Sequence, residues 1–388
     1  MENVYVISAV RTAVGKSKKG SAIAHVRPDD MGAVVIKEAV ARSGVAVEEI
    51  QDVVMGCAFP EAEAGMNVAR ICALAAGLPD TVPGETINRF CVSGLETMAT
   101  LGAKIECGML ECGVAGGLES MSVIPMGGNK TCPNPTLAKA NPRAYSGMGQ
   151  CSDNVAKDFG ITREECDKIG MMSNERACKA IAEGKFKEQI VPLEVKGFDG
   201  RTYTFDTDEG PRPGTTMEGL AKLRLAFAGP GGTGVSTAGN SSQTSCGAAA
   251  TVLASGAFVA KHNLKPLAKL RGFSVAAGDP GYLGPAQIPA IEDALQQAGI
   301  GLADIGLIEC NEAFAAQTLY VVKELDLDLD IVNVNGGAIA LGHPLGCTGA
   351  KLATQLIYEM KARGVKWGLE TMCIGGGMGG AGVFELCE

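Results

Sequence analysis

Aromatic residues and histidine are scarce in this 388-residue chain, which holds 11 Phe, 6 Tyr, 1 Trp and 3 His. So few aromatic side chains do not suit a protein that stacks on the bases of single-stranded nucleic acid. The net charge of −9 argues against nucleic acid or an anionic membrane surface as a partner. No run reaches the roughly 18 apolar residues of a membrane span. We therefore expect no nucleic-acid partner and no membrane partner.

The 14 cysteines include no C-x-x-C pair, and the three histidines (His25, His262 and His343) lie far apart in sequence. Closely spaced ligands would be expected of a cysteine-rich metal or redox protein, which is the alternative reading of this composition. The first residues show no signal-peptide pattern, and the chain is too long for a small disulfide-stapled domain. We predict reduced thiols in the cytoplasm, mostly in the core, and no metal site.

Strand-like and helix-like segments alternate in the first 118 residues and again after residue 268. This order predicts an α/β fold with a mostly parallel sheet and helices on both faces. The region between them is rich in Pro, Gly, Lys and Met and has few strand signals. We predict three parts: an N-terminal half formed by residues 1–118 and 241–267, an inserted loop domain at 119–240, and a C-terminal half at 268–388.

The two halves resemble each other, which predicts an internal duplication with two related βαβαβ units packed together. Three pairs of segments correspond: Gln51–Val54 with Ile305–Ile308, Ser93–Gly94 with Thr348–Gly349, and Gly116–Gly117 with Gly376–Gly377. The residues that could carry chemistry fall at corresponding turns of the two halves. We therefore expect one site that is shared between them.

Cys91 follows a predicted strand and precedes a predicted helix. A thiol in that place is expected to have its pKa lowered by the helix dipole, and the N–H groups of the same turn can bind an oxyanion. With 14 cysteines in the chain, any single one is more often a small core residue, and roughly one in ten would be catalytic.

Three further residues extend this set. His343 lies between Gly342 and Pro344 and could act as a general base, although a core histidine bonded to the backbone fits equally well. Cys373 ends an apolar strand and could move a proton. Asn311 follows another strand and could hold a water or a carbonyl, although capping a helix is the commoner role of Asn there.

Two glycine motifs do not indicate a nucleotide cofactor. Gly375–Gly380 satisfies G-x-G-x-x-G, but only eight residues follow, and they include the strand-like Gly382–Leu386. A dinucleotide site needs a helix after this motif. Gly15–Ser17 resembles the end of a phosphate-binding loop, but Val10 occupies the position of the required first glycine.

Five stretches together resemble the thiolases, the family of acetyl-CoA acetyltransferases and 3-ketoacyl-CoA thiolases. They are Asn88–Leu95, Gly239–Gln243, Asn311–Phe314, Asn335–Pro344 and Cys373–Gly375. They occur in the family's order and spacing, and the resemblance extends over the whole chain. It implies a duplicated thiolase fold with an inserted loop domain, assembled as a homodimer or homotetramer.

The resemblance also implies catalytic roles. Cys91 would be the nucleophile that carries the acyl group, and His343 would activate it. With a water held by Asn311, His343 would also bind the oxygen of the thioester enolate. Cys373 would move the proton on and off the α-carbon or the leaving thiol. The N–H groups of Cys91 and Gly375 would bind the oxygen of the acyl-enzyme.

Four residues are implied as substrate contacts. Ser242 would hold the pantetheine arm of coenzyme A, and Arg212 would lie at its adenine end. Met148 and Phe314 would line the acyl pocket. Coenzyme A and acetyl-CoA would be substrates, and no permanently bound cofactor is expected.

The chain departs from the family pattern at a few positions. Ser245 and Cys246 stand where Asn-Asp is frequent, and Val92 stands where Ser or Gly is usual. Gly147 replaces the His that short-chain biosynthetic thiolases often carry. This favours a degradative enzyme of fatty-acid β-oxidation that cleaves 3-ketoacyl-CoA. The alternative is an acetoacetyl-CoA thiolase that condenses two molecules of acetyl-CoA.

Two alternative functions are considered, both of proteins related to the thiolases. A decarboxylating condensing enzyme of the same superfamily would carry a Cys-His-His or Cys-His-Asn set, whereas this chain has Cys373 as the third member. A catalytically inactive homologue that binds lipid or coenzyme A would lack Cys91 or His343, and both are present.

Overall fold

A computed structural model describes residues 1–197, 200–227 and 232–387. Eleven of its strands form one sheet, and β7 and β8 form a separate hairpin. The strands are β1 (Tyr5–Thr12), β2 (Gly15–Lys16), β3 (Val53–Gly56), β4 (Gly84–Ile87), β5 (Cys112–Ser120), β6 (Ile190–Val191), β7 (Leu193–Lys196), β8 (Thr202–Phe205), β9 (Ser245–Ala254), β10 (Ala268–Ala277), β11 (Leu307–Cys310), β12 (Trp367–Ile374) and β13 (Met378–Leu386).

The helices cover both faces of the large sheet. They are α1 (Pro28–Ser43), α2 (Val68–Ala75), α3 (Ser93–Glu106), α4 (Pro135–Ala140), α5 (Met148–Asp158), α6 (Arg163–Ala182), α7 (Met217–Ala221), α8 (Gly256–His262), α9 (Gln287–Ala298), α10 (Ala315–Glu324), α11 (Ala338–Leu341) and α12 (Thr348–Arg363). None of the helices in the described ranges is long and apolar enough to cross a membrane.

The large sheet is mixed, so the prediction of a mostly parallel sheet was wrong. Along the order β11-β12-β13-β10-β1-β9-β5-β3-β4, the five central pairings from β12 to β5 are antiparallel. The outer pairings, β11–β12, β5–β3 and β3–β4, are parallel. β12 and β13 are joined by the short turn at 375–377, and a connection of that length can only join antiparallel strands.

The sheet order repeats on either side of the β1–β10 pairing, which confirms the predicted duplication. Strands β1, β9, β5 and β3 have their counterparts in β10, β13, β12 and β11, with the same relative directions. Helices α3 and α12 correspond in the same way. One predicted match was wrong: Gly116 and Gly117 lie within β5, whereas Gly376 and Gly377 lie in the turn after β12.

Helices α3 and α12 pack against each other through their first turns. A Cβ atom on Gly94 would lie 2.6 Å from the backbone N of Ala350, and one on Gly349 would lie 2.2 Å from the backbone N of Leu95. No side chain fits at such distances, so glycine is required at both positions. This close approach brings the turn before α3, which holds Cys91, next to the turn before α12.

A buried ion pair joins β1 to the region between the halves. Arg11 on β1 donates from Nη1 and Nη2 to the two carboxylate oxygens of Asp208 at 2.8 and 2.9 Å, and both side chains are 0% exposed. Strand β6 also pairs with β1. The predicted domain division stays a prediction, and β5 runs two residues past its boundary at residue 118, to Ser120.

Candidate active site

The turn that carries Cys91 is held in an unusual conformation. Phe90 has a φ of +46°, a left-handed value that costs energy for a bulky residue. The Phe90 N–H donates to Oδ1 of Asn88 at 2.9 Å. The hydroxyl of Ser93 donates to the Phe90 carbonyl at 2.6 Å and accepts the N–H of Arg89 at 2.9 Å. These bonds hold Cys91 directly before α3, where the residue is 7% exposed.

The pKa of the Cys91 thiol is raised to about 12, which corrects the predicted lowering by the helix dipole. Burial disfavours the thiolate, and its effect exceeds the stabilisation by the N–H groups of Gly375 and of Cys91 itself. The thiol is therefore protonated in the ligand-free protein and needs a base. The two N–H groups that approach its sulfur are the same pair that the resemblance to the thiolases implies for the oxygen of an acyl-enzyme.

His343 is held through its backbone by Ser245. The Oγ of Ser245 accepts the N–H of His343 at 3.2 Å and donates to the carbonyl of Gln243 at 2.8 Å. Gly342 has a φ of +93°, and a Cβ there would lie 2.6 Å from that same Oγ. Ser245, one of the departures from the family pattern, thus takes part in fixing the turn of His343.

The ring of His343 is oriented by Thr348, the first residue of α12. Nδ1 of His343 lies 2.6 Å from Oγ1 of Thr348, and this hydroxyl donates its own hydrogen to the carbonyl of Pro344 at 2.9 Å. The hydroxyl must therefore accept from Nδ1–H, which leaves the lone pair on Nε2. Burial and the charge of Lys351 lower the pKa of His343 to about 3. His343 is thus a neutral base at neutral pH.

Asn311 lies beside this ring. Its Nδ2 is 3.4 Å from Nε2 and 3.5 Å from Nδ1 of His343. Its Oδ1 is buried and has no hydrogen-bond partner among the described residues, so it can accept a hydrogen bond from a water or ligand. Asn311 does not cap the following helix, because α10 begins at Ala315 with Phe314 as its N-cap residue. The alternative of a simple helix cap is therefore wrong.

Cys373 lies near the end of β12 and is buried. Its pKa is raised well above the usual value by burial and by the neighbouring thiol of Cys91. Cys91, His343 and Cys373 open into one cavity of about 120 Å³. The cavity is lined by Cys91, Met121, Met126, Met148, Phe227, Ser242, Gln243, Thr244, Leu283, Ala313, Phe314, His343, Leu345 and Cys373.

Three of the four predicted substrate contacts line this cavity. Met148 and Phe314 form part of its apolar wall, and Ser242 also lines it. Arg212 does not line it: its N–H donates to Oδ1 of Asn174 at 2.9 Å, and its side chain is exposed. Arg212 can therefore contact only a part of a ligand that extends beyond the cavity.

Several residues of the site were not found from the sequence. Thr348 could have been, because it stands five residues after His343 at the head of a predicted helix. Phe227 and Leu283 line the cavity from distant parts of the chain, and nothing in their local pattern distinguishes them from core residues. Phe227 packs edge-to-face against Phe314 with ring centroids 5.7 Å apart.

Together these groups form a set suited to one kind of chemistry. A protonated thiol, a neutral imidazole whose lone pair is on Nε2, two convergent N–H groups and a second thiol face one apolar cavity. This combination supports covalent acyl transfer together with proton transfer to or from carbon.

Comparison with known proteins establishes the family. Residues 4–257 match the model of the thiolase N-terminal domain, and residues 264–386 match that of the thiolase C-terminal domain. The chain belongs to the thiolase family. It is therefore an acyltransferase by family, and the predicted thiolase fold is confirmed.

Full-length relatives are found among bacteria and plants. The chain is 50% identical to the 3-ketoacyl-CoA thiolase of Bacillus subtilis (strain 168) over 100% of both proteins. It is 42% identical to the peroxisomal 3-ketoacyl-CoA thiolase 5 of Arabidopsis thaliana, covering 99% of this chain and 85% of that protein. The crystal structure of the Bacillus anthracis acetyl-CoA acetyltransferase matches this thiolase with a TM-score of 0.89 and 40% identity, covering 100% and 99% of the two chains.

Proposed function

We propose that this thiolase cleaves 3-ketoacyl-CoA with coenzyme A, giving acetyl-CoA and a shortened acyl-CoA, in fatty-acid β-oxidation. The observation that carries the proposal is the meeting of Cys91, His343 and Cys373 in one cavity, with the N–H of Gly375 at the sulfur of Cys91. The degradative direction is supported by the similarity to proteins named 3-ketoacyl-CoA thiolase.

In the first half-reaction, Nε2 of His343 takes the proton of Cys91 as the sulfur attacks the 3-keto carbonyl. The carbonyl oxygen is held by the N–H groups of Cys91 and Gly375. When the carbon–carbon bond breaks, the electron pair passes to the acetyl-CoA enolate, whose oxygen is stabilised by His343 and a water on Asn311. Cys373 then gives its proton to the α-carbon, and acetyl-CoA leaves.

In the second half-reaction, the acyl group moves from Cys91 to coenzyme A. The Cys373 thiolate takes the proton of the coenzyme A thiol, which attacks the acyl carbonyl. Collapse of the tetrahedral adduct releases acyl-CoA, and His343 returns its proton to the departing Cys91 thiolate. Two half-reactions through an acyl-enzyme predict ping-pong kinetics.

Replacing Cys373 by serine should separate acylation from carbon–carbon bond formation. The hydroxyl is a much weaker acid than the thiol, and its anion is too rare to serve as the base, so we expect condensation to slow by about 10²–10⁴-fold. Cys91 should still accept an acetyl group from acetyl-CoA. Intact-protein mass spectrometry would show the acetyl adduct, and its absence would refute this division of roles. Cys310→Ser, at a buried thiol of the neighbouring strand, is the control and should condense normally.

The substrate range decides between the two functions. We expect purified protein to cleave 3-ketooctanoyl-CoA at least as fast as acetoacetyl-CoA when both are assayed with coenzyme A. This is the result expected of a β-oxidation thiolase. Cleavage of acetoacetyl-CoA alone would instead favour the alternative, an acetoacetyl-CoA thiolase, which the name of the Bacillus anthracis neighbour supports.

The protein would act in the cytoplasm as a homodimer or homotetramer, with coenzyme A thioesters as its partners and no permanently bound cofactor. Ser242 would contact the pantetheine arm, and Arg212 would contact the adenine end beyond the cavity. Light scattering coupled to size-exclusion chromatography would measure the assembly.

A further inference from the structure

The active-site cavity is small for a substrate with a long acyl chain. Its volume is about 120 Å³. Pockets that hold a whole small molecule usually measure roughly 300–1,000 Å³. The cavity must also hold the reacting carbonyl groups and the sulfur end of coenzyme A. The rest of a long acyl chain therefore needs further space.

A second and larger cavity lies next to it along helix α5. We call it the α5 groove, since it runs between α5 and residues 233–235, and its volume is about 580 Å³. Among the described residues, Phe227 alone lines both the active-site cavity and the α5 groove. On α5 itself, Met148 lines the active-site cavity and Gln150 lines the groove. The two spaces are therefore neighbours, and the ring of Phe227 stands between them.

The ring of Phe227 rests on a glycine and on one other ring. A Cβ atom on Gly149, the second residue of α5, would lie 2.2 Å from Cγ of Phe227, so only glycine leaves room for the ring there. The ring also packs edge-to-face against Phe314. Phe227 is nevertheless 44% exposed. Because an exposed side chain changes rotamer rapidly, the ring can turn away from Gly149, and this movement would join the two spaces.

The backbone that carries Phe227 is fixed to α5 by Asp153. Oδ1 of Asp153 accepts the N–H groups of Val235 and Ser236 at 3.0 Å each and the hydroxyl of Ser236 at 2.7 Å. The N–H of Ala226 donates to the carbonyl of Ser236 at 2.9 Å. The residue before Phe227 is thus tied to α5 through Ser236, so the ring can turn while its point of attachment stays in place.

The α5 groove offers apolar surface beyond this ring. Ala156, Ile161 and Val235 line it together with Phe227. The acyl chain is the apolar portion of a 3-ketoacyl-CoA, and it gains free energy when such a surface removes it from water. Of the parts of this substrate, the acyl chain therefore suits the groove best.

The polar side chains of the groove have partners elsewhere or reach solvent. Asp153 is bonded to the segment around Ser236, and Nδ2 of Asn154 donates to the carbonyl of Gly281 at 2.9 Å. Gln150 and Lys157 are exposed, so their polar ends can stay in water while their methylene groups border the groove. These side chains therefore do not require a polar ligand in the groove.

We propose that the acyl chain of longer substrates passes Phe227 and lies in the α5 groove, so that Phe227 determines which chain lengths the enzyme accepts. The inference rests on the proposed function, which supplies the 3-ketoacyl-CoA substrate. With the ring on Gly149, the active-site cavity is closed toward the groove and holds a short acyl group. With the ring turned away, a longer chain extends along α5 and leaves the water.

The test compares thiolysis of 3-ketododecanoyl-CoA with that of acetoacetyl-CoA, and its readout is the ratio of the two kcat/KM values. Phe227→Ala removes the ring, so we expect the ratio to rise about tenfold. Thr233→Trp fills the groove from an exposed position, so we expect the ratio to fall about tenfold, mainly through KM. A residue that contacts only the coenzyme A arm would change both values equally, because both substrates carry that arm.

Phe159→Ala is the matched control. Phe159 is an exposed phenylalanine that packs edge-to-face against Tyr282 and Tyr320, but it lines neither the active-site cavity nor the groove. Its replacement should keep the wild-type ratio. An unchanged ratio in either Phe227→Ala or Thr233→Trp would overturn the proposal, and so would an equal change in Phe159→Ala.

Binding without reaction separates this inference from the proposed function. S-dodecyl-CoA is a thioether without a carbonyl carbon for Cys91 to attack, and S-ethyl-CoA is its short counterpart. Calorimetry should show that the wild type binds S-dodecyl-CoA more tightly, that Phe227→Ala enlarges the difference and that Thr233→Trp removes it. Equal affinities of the wild type for the two thioethers would overturn the inference. Absence of thiolysis by the wild type would overturn the proposed function, while the thioethers would still decide whether the groove takes an acyl chain.

Discussion

Cys91→Ser is expected to lower kcat/KM for thiolysis by at least about 10⁴-fold, because the acyl-enzyme can no longer form at a useful rate. A hydroxyl is a far weaker acid than a thiol, and the buried, neutral His343 is a weak base for it. The fold should be retained, because one sulfur is exchanged for oxygen in a turn held by Asn88 and Ser93. The measurement is thiolysis of acetoacetyl-CoA by purified variant, with circular dichroism to confirm the fold.

Cys112→Ser is the matched control, since that cysteine is also buried but lies in a different core cluster. It should retain thiolysis. If Cys91→Ser turned over at the wild-type rate, neither the covalent mechanism nor the assignment of Cys91 as nucleophile could stand.

Asp208→Asn is expected to destabilise the protein by roughly 3–5 kcal/mol, because it leaves the guanidinium of Arg11 buried without its counter-charge. Asn has a single side-chain oxygen, so one of the two hydrogen bonds from Arg11 to residue 208 would be lost, while those to Gln189 and Thr12 would remain. The N–H of Val14, which donates to Oδ1 of Asp208 at 2.8 Å, would also lose a charged acceptor. Urea denaturation would show the loss as a lower midpoint of unfolding.

Two further variants test whether the loss of stability comes from a buried charge that has lost its partner. Glu218→Gln breaks an exposed pair with Lys222 one helical turn away and should leave the midpoint unchanged. Arg11→Met/Asp208→Leu removes both buried charges and should recover part of the stability that Asp208→Asn loses. An unchanged midpoint in Asp208→Asn would show that the pair does not anchor this region.

Local sequence signals predict well the helices whose ends are determined by neighbouring residues. Local signals alone predict a helix over residues 28–43, and α1 has these bounds, because Pro28 suits its first turn and Gly44 takes the left-handed conformation that ends it. Strand direction was predicted poorly. The alternation of strands and helices does not say which strands become neighbours, and the return of β13 beside β12 reverses the direction that the alternation suggests.

The candidate site was also predicted well where the signal is local and poorly where it depends on contacts between distant residues. Cys91, His343, Cys373 and Asn311 were predicted because each stands in a distinctive short stretch. In the structure the first three line one cavity, and Asn311 lies beside His343. The role of Ser245 was not found, since it holds a residue 98 positions away. The pKa of Cys91 was predicted in the wrong direction because the helix dipole can be read from neighbouring residues, whereas burial depends on the whole fold.

The duplicated sheet has a consequence for how this gene can change. Through the strand register, Glu119 in the first half occupies the place that Cys373 has in the second. Glu119 accepts the N–H groups of Ala58 and Gly346 at 2.8 Å each, and Gly346 is in turn the counterpart of Cys91. One junction between the halves thus holds the candidate catalytic thiols, while the corresponding junction is held together by the hydrogen bonds of a carboxylate. Gene conversion between the two copies would put a glutamate at position 373, so the proposed mechanism requires the two repeats to stay different there.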